Sequence, residues 1–229
     1  MTATATAVTA TAAAVTATAA VTQEDTRVST DLALDPAHTA LLVLDCQPAV
    51  LAAVLPDEGE REALLTRLQG AVADVRAAGG TVVHGRLGFT EADWAAVPAA
   101  NTSFAALARH RAMHHEDPAA AVHERLAPRE GGGDIVVRKT RHGALSTTDL
   151  DRRLRERGLT ALVVAGVSTG GAVLSTVLDA ADRDYRLHVL SDGVADPDPD
   201  VHDVLLRHVL PTRARIIDTA ALPALLRAA

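Results

Sequence analysis

Residues 161–176 read ALVVAGVSTGGAVLST. Ala161–Ala165 is an apolar run without polar alternation, the pattern of a strand covered on both faces. Gly166–Gly171 follows as a glycine-rich turn, and Ala172–Arg183 carries helical periodicity. Glycines at such a junction permit a tight turn and close approach to the backbone. Free N–H groups at the start of the next helix can receive an anion or an oxyanion. The spacing is not that of the GxGxxG dinucleotide fingerprint. Taken alone, the segment is also readable as a plain strand–helix turn.

Working outward, the same alternation recurs. Thr39–Cys46 (TALLVLDC), Thr81–His84 (TVVH), Asp134–Arg138 (DIVVR), Arg186–Leu190 (RLHVL) and Ala214–Ile217 read as further strands. Between them, residues 58–78 carry Leu64, Leu65, Leu68, Val72 and Val75 at helical spacing, stopped by Gly79-Gly80. Asp117–Leu126, Thr147–Arg157 and Asp200–Val209 also read as helices, with 88–116 irregular. Strands without alternation, separated by helices, predict a six-stranded parallel sheet in a three-layer α/β/α fold of Rossmann-like type. Ligands of such folds sit at the carboxyl ends of the strands. Asp45, Lys139 and Gly166–Ala172 all fall there.

Composition narrows the function classes. The chain has 229 residues, 48% hydrophobic and 2% aromatic, a net charge of −7 and one cysteine. It has no basic run and no aromatic interleaving, which argues against a nucleic-acid partner. No apolar stretch reaches the roughly 20 residues of a membrane span, so no membrane partner is expected. A lone cysteine excludes an intrachain disulfide framework and is consistent with a cytoplasmic location. The Ala/Thr-rich residues 1–24 are expected to be a disordered tail, with an edge strand as the minority reading, and residues 25–229 a single domain.

The side chains that could carry chemistry are few. Asp45 closes an apolar strand, where a carboxylate is costly unless paired, and Gln47 leaves on a similar side. Lys139 at the same sheet edge would hold Asp45 ionised. Arg86 is a candidate for a substrate carboxylate. Phe104, in the irregular segment with Trp94, is expected in a pocket wall or a subunit interface. Cys46 is expected to face the core, since adjacent strand residues point to opposite faces. Ser168, Thr169 and Ser146 lie in candidate loops without an evident His partner. His114-His115-Glu116-Asp117 reads as a solvated loop or a helix start, and no metal or cofactor is expected.

In this order, LLVLDCQ (41–47), RKTRHGALSTTDL (138–150), ALVVAGVSTGGAVLST (161–176) and DAADRDYRLHVLSDGVAD (179–196) resemble the isochorismatase-like hydrolase, or cysteine hydrolase, superfamily over roughly residues 37–220. The resemblance implies a hydrolase acting on a small organic substrate, a homo-oligomer (dimer or tetramer) and a place in metabolism that includes secondary metabolism. It implies Asp45 as general acid/base, Lys139 as its electrostatic partner, and a turn before Thr169 with a non-proline cis peptide. Ser168, Thr169, Gly170 and Gly171 would then meet the substrate. The sequence departs from the pattern at one place: Ala172 stands where the family has its nucleophilic cysteine. Three readings follow: acid/base chemistry by Asp45 with water as nucleophile, a catalytically inactive binding or interaction protein on the same scaffold, or an alanine put in place of a natural cysteine.

Overall fold

The long apolar runs do form strands. In the computed structural model, which describes residues 33–227 apart from 130 and 132, these are β1 (Thr39–Leu44), β2 (Thr81–Leu87), β3 (Ile135–Lys139), β4 (Ala161–Val167), β5 (Arg186–Ala195) and β6 (Arg215–Ile217). They build one all-parallel sheet in the order β3-β2-β1-β4-β5-β6. The expectation for residues 1–24 lies outside the described residues.

The helices are α1 (Pro48–Val54), α2 (Glu58–Ala77), α3 (Glu91–Ala95), α4 (Ala105–Arg109), α5 (Leu150–Glu156), α6 (Leu174–Ala181), α7 (Pro199–Val204) and α8 (Leu222–Arg227). Alternate strand residues feed two cores, as a pleated sheet requires. Ala40, Leu42 and Leu44 pack with Leu150 and Leu154 of α5 and Val177 of α6. Leu41 and Val43 pack with Leu51 of α1, Leu64, Leu65 and Leu68 of α2, and Leu222 of α8. This is the three-layer α/β/α arrangement. Edge strand β3 departs from the continuous-burial pattern, since Val136 and Arg138 are exposed while Ile135, Val137 and Lys139 are buried.

Two local expectations change. Asp117–Leu126 is not one helix but two single 3₁₀ turns, Pro118–Ala120 and Glu124–Leu126. Asp117 and His123 each cap the turn that follows, and the His123 N–H leaves the segment to bond the Cys46 carbonyl at 2.8 Å. Helix α1 opens on Pro48 just after β1, because proline suits the first helical turn. The helix expected from Ala172 opens earlier, with a wide turn over Thr169–Val173 running into α6.

Strand order reverses direction between β1 and β4, the switch point where the carboxyl ends of an open parallel sheet leave a crevice. Gly166 makes that crevice narrow. Its φ of +112° suits only glycine, and a Cβ there would stand 2.1 Å from the Leu44 carbonyl oxygen. The end of β4 therefore lies directly against the end of β1, beside Asp45.

Candidate active site

Asp45 leaves β1 with φ +52°, a left-handed conformation that Asp tolerates better than most residues. Its N–H bonds the Gly85 carbonyl at 2.8 Å and its carbonyl accepts from the Gln47 N–H at 2.8 Å. Lys139 ends β3, two strands away, and strands spaced as in any sheet put β1 and β3 about 10 Å apart. The long lysine side chain crosses that gap beneath solvent. Its Nζ lies 2.7 Å from Asp45 Oδ2 and 3.1 Å from the Arg141 carbonyl oxygen, with the lysine side chain fully buried. Asp45 Oδ1 is buried and has no partner among the described residues.

The ion pair opens into a chamber of about 140 Å³ lined by Asp45, Leu87, Phe104, Lys139, His142, Val167, Ser168 and Ala172. The Val167–Ser168 peptide is cis. Burial pushes the Asp45 carboxyl above its ordinary value, while the Lys139 ammonium pulls the other way. Ala172 is 2% exposed and presents a methyl group to the chamber.

The remaining expected residues distribute as follows. Phe104 lines the chamber, its ring 4.7 Å from that of His142 and under the Arg141 guanidinium. Ser168 lines it too, whereas Thr169 is buried with Oγ1 2.9 Å from His202 Nδ1. The turn amides are in part already engaged: Gly170 N–H bonds Asp196 Oδ2 at 2.7 Å, and Gly171 N–H bonds the Ser168 carbonyl at 3.2 Å. Gln47, expected to face substrate, is instead fully occupied by backbone. It donates to the Leu87 and Ala120 carbonyls at 2.7 and 2.5 Å and accepts from the Leu87 N–H at 2.8 Å. Arg86 likewise does not line the chamber; it donates to the His115 and Ala120 carbonyls at 2.9 and 3.2 Å. Both residues pin the 115–120 loop over the strand ends.

Cys46 packs in the core on the α2 side of the sheet. Burial and the neighbouring Asp45 push its thiol pKa up, so it remains a thiol. His114, His115 and Glu116 bring their ligand atoms within 4.8 Å of one another, the group among the described residues close enough to hold an ion. They stand outside the chamber lining. Two histidines beside the turn went unremarked in the sequence. His202 reaches Thr169 across 33 positions, and His142 lies three residues beyond Lys139. Neither carries a local signature, and only folding shows what they face.

No described helix is long and apolar enough to cross a membrane. Comparison with known proteins agrees with the geometry. Residues 39–221 match the Isochorismatase domain family. A ureidoacrylate amidohydrolase, RutB, of Methylobacterium radiotolerans is 31% identical over 208 residues, covering 83% of this chain and 80% of that protein. A cysteine hydrolase from Pseudomonas syringae pv. phaseolicola superposes with a TM-score of 0.74 at 23% identity, over 84% of this chain and 94% of the other. An N-carbamoylsarcosine amidase from Thermoplasma acidophilum superposes with a TM-score of 0.64 at 24% identity, over 79% and 96%. At those identities the two structures speak for the fold alone. The domain match spans every strand of the sheet and both members of the buried ion pair, and on it the chain belongs to the isochorismatase family.

Proposed function

We propose that the chain is a hydrolase acting on a small organic molecule, with Asp45 as the proton-transfer group, Lys139 as its electrostatic partner and water as the nucleophile. The observation that carries this reading is the buried Asp45 carboxylate among the residues that line a small chamber, its Oδ2 held by Lys139 and its Oδ1 without a partner among the described residues. A buried carboxylate whose affinity for a proton is raised by burial is suited to taking up a proton and delivering it to a leaving group. The chamber accepts a reacting group of a few heavy atoms, given that a water claims about 30 Å³ of liquid volume. A thiol route has no atom to use, since Ala172 supplies only carbon and Cys46 faces the other core. The RutB relative, named for amidohydrolase activity, favours the carbon–nitrogen bond of an amide or ureido group as the bond cleaved.

Turnover of a panel of small amides, ureido acids and vinyl ethers by wild type and by Asp45→Asn tests the reading. The variant is expected to lose about 100-fold or more in kcat/KM. Retained activity in the variant removes Asp45 from the chemistry. No turnover by wild type across the panel moves the chain to the ligand-binding reading.

A further inference from the structure

We propose that His142 is this chain's base, taking the proton of the nucleophile at the place that the Ala172 methyl faces. The inference rests on the proposed attack by water and adds the group that activates it.

His142 lines two spaces at once. One is the Asp45–Lys139–Ala172 chamber, and the other is an open basin of about 640 Å³ that also includes Arg141, Ser146, Asp179 and Arg183. The imidazole therefore stands at the mouth, where a proton taken from inside can pass to solvent. Its ring is braced by Phe104 at 4.7 Å, and neither nitrogen has a hydrogen-bond partner among the described residues. Its orientation toward the turn depends on a missing side chain. A Cβ on Gly171 would sit 2.7 Å from Ser168 Oγ and 3.3 Å from His142 Nδ1, so glycine is what lets the imidazole edge and the Ser168 hydroxyl converge there, in the chamber that Ala172 also lines. The charged groups around the ring are Lys139 and Asp45 inside and Arg141, Asp179, Asp182 and Arg183 in the basin.

Partial burial, helped by the Lys139 ammonium, lowers the affinity of His142 for a proton, which keeps the ring neutral and able to accept one. Burial moves Asp45 in the opposite direction. Two titratable groups displaced in opposite senses across one chamber make an acid and a base. In the step, a water O–H bond breaks and its proton passes to the imidazole nitrogen. The oxygen lone pair forms the new bond to the substrate carbon. The bond to the leaving group then breaks, as that group takes a proton that the Asp45 carboxylate has drawn from solvent. His142 afterwards releases its proton to solvent, and Asp45 returns to its ion pair with Lys139.

The test installs a surrogate nucleophile and needs no substrate. Ala172→Cys places a thiol at the proposed position, and iodoacetamide reports its thiolate; buried Cys46 is expected to stay silent. Adding His142→Gln should slow alkylation at pH 7 by about tenfold and move the acid limb of the pH profile up by about one unit. An unchanged rate and profile overturn the proposal. If His142→Gln lowers the melting temperature, His142→Asn in the same background provides the reading, with the same two outcomes. Asp45 is intact in every variant, so failure here is separable from failure of its acid role, which the Asp45→Asn comparison tests.

Discussion

Replacing the two members of the Asp45–Lys139 pair, singly and together, should give strongly non-additive losses of stability. Lys139 Nζ is fully buried 2.7 Å from Asp45 Oδ2, and its other contact is the Arg141 carbonyl at 3.1 Å. Asp45→Asn is the appropriate change on the acid side, because φ +52° there is tolerated by Asn and not by bulky apolar residues. It leaves an ammonium buried without a counter-charge, a loss of about 3 kcal/mol or more. Lys139→Met strands a buried carboxylate, which can take up a proton and so limit the loss to about 2–3 kcal/mol at neutral pH. The double variant buries no charge. It should be no less stable than the worse single variant, giving a coupling of roughly 2–3 kcal/mol. Urea unfolding followed by far-UV circular dichroism, with Trp94 as the chain's only tryptophan reporter, measures all four forms. For a domain of this size, a 3 kcal/mol loss lowers the melting temperature by roughly 6–12 °C. Single losses that add within about 0.5 kcal/mol would show that the two groups do not share a desolvated pair, and the electrostatic basis assigned to the site would fall with them.

Stability should fall on mild acidification through His84 and His188, both buried in the sheet and both lowered to about 4 by burial, although His84 Nε2 stands 3.6 Å from Asp134 Oδ2, which pulls the other way. The unfolded chain takes up protons near pH 6.5, the folded chain only near 4, so this stability is intact above about 6.5 and is lost as pH falls toward 4. Each histidine then contributes a loss of roughly 2 kcal/mol between pH 7 and pH 5. His188→Leu should remove about half of that slope in urea titrations at the two pH values, and an unchanged slope would exclude His188 as its source. Gly166→Ala drives a Cβ into the Leu44 backbone, so soluble folded protein should be lost or the melting temperature sharply lowered. A variant with wild-type stability would mean that β1 and β4 do not meet so closely. Gln47→Leu removes the side-chain partners of the Leu87 N–H and carbonyl and leaves the Ala120 carbonyl only its bond from Arg86, for a loss of about 2–3 kcal/mol in urea unfolding. A neutral result would show that those groups find other partners.

The apolar runs were legible as strands because a parallel sheet covered on both faces leaves no room for polar alternation, and β1, β4 and the core of β5 follow that rule. Edge strand β3 is legible by its valines although two of its five residues meet solvent. In the 117–126 segment, read as one helix, Pro118 sits at the first turn. It does open a helical turn, but side-chain caps and the bond to the Cys46 carbonyl end that turn at once. Gln47 and Arg86 were assigned outward by their place at the sheet edge. A local pattern carries no information on which backbone carbonyls a long side chain will find, and both found the 115–120 loop.

By itself, the amino-acid sequence determined the layer architecture, the edge of the sheet at which the candidate site lies, and the absence of a nucleophilic group at position 172. Each of these is set by residue type and by periodicity along the chain. Only the tertiary structure decided that Lys139 reaches across β2 to Asp45, that Asp45 keeps one oxygen free, and that His142 and Ser168 converge over Gly171. Those relations join residues tens of positions apart. They depend on strand order, on the left-handed turn at Asp45 and on the close approach that Gly166 permits, and contacts of that range arise from packing, not from local propensity.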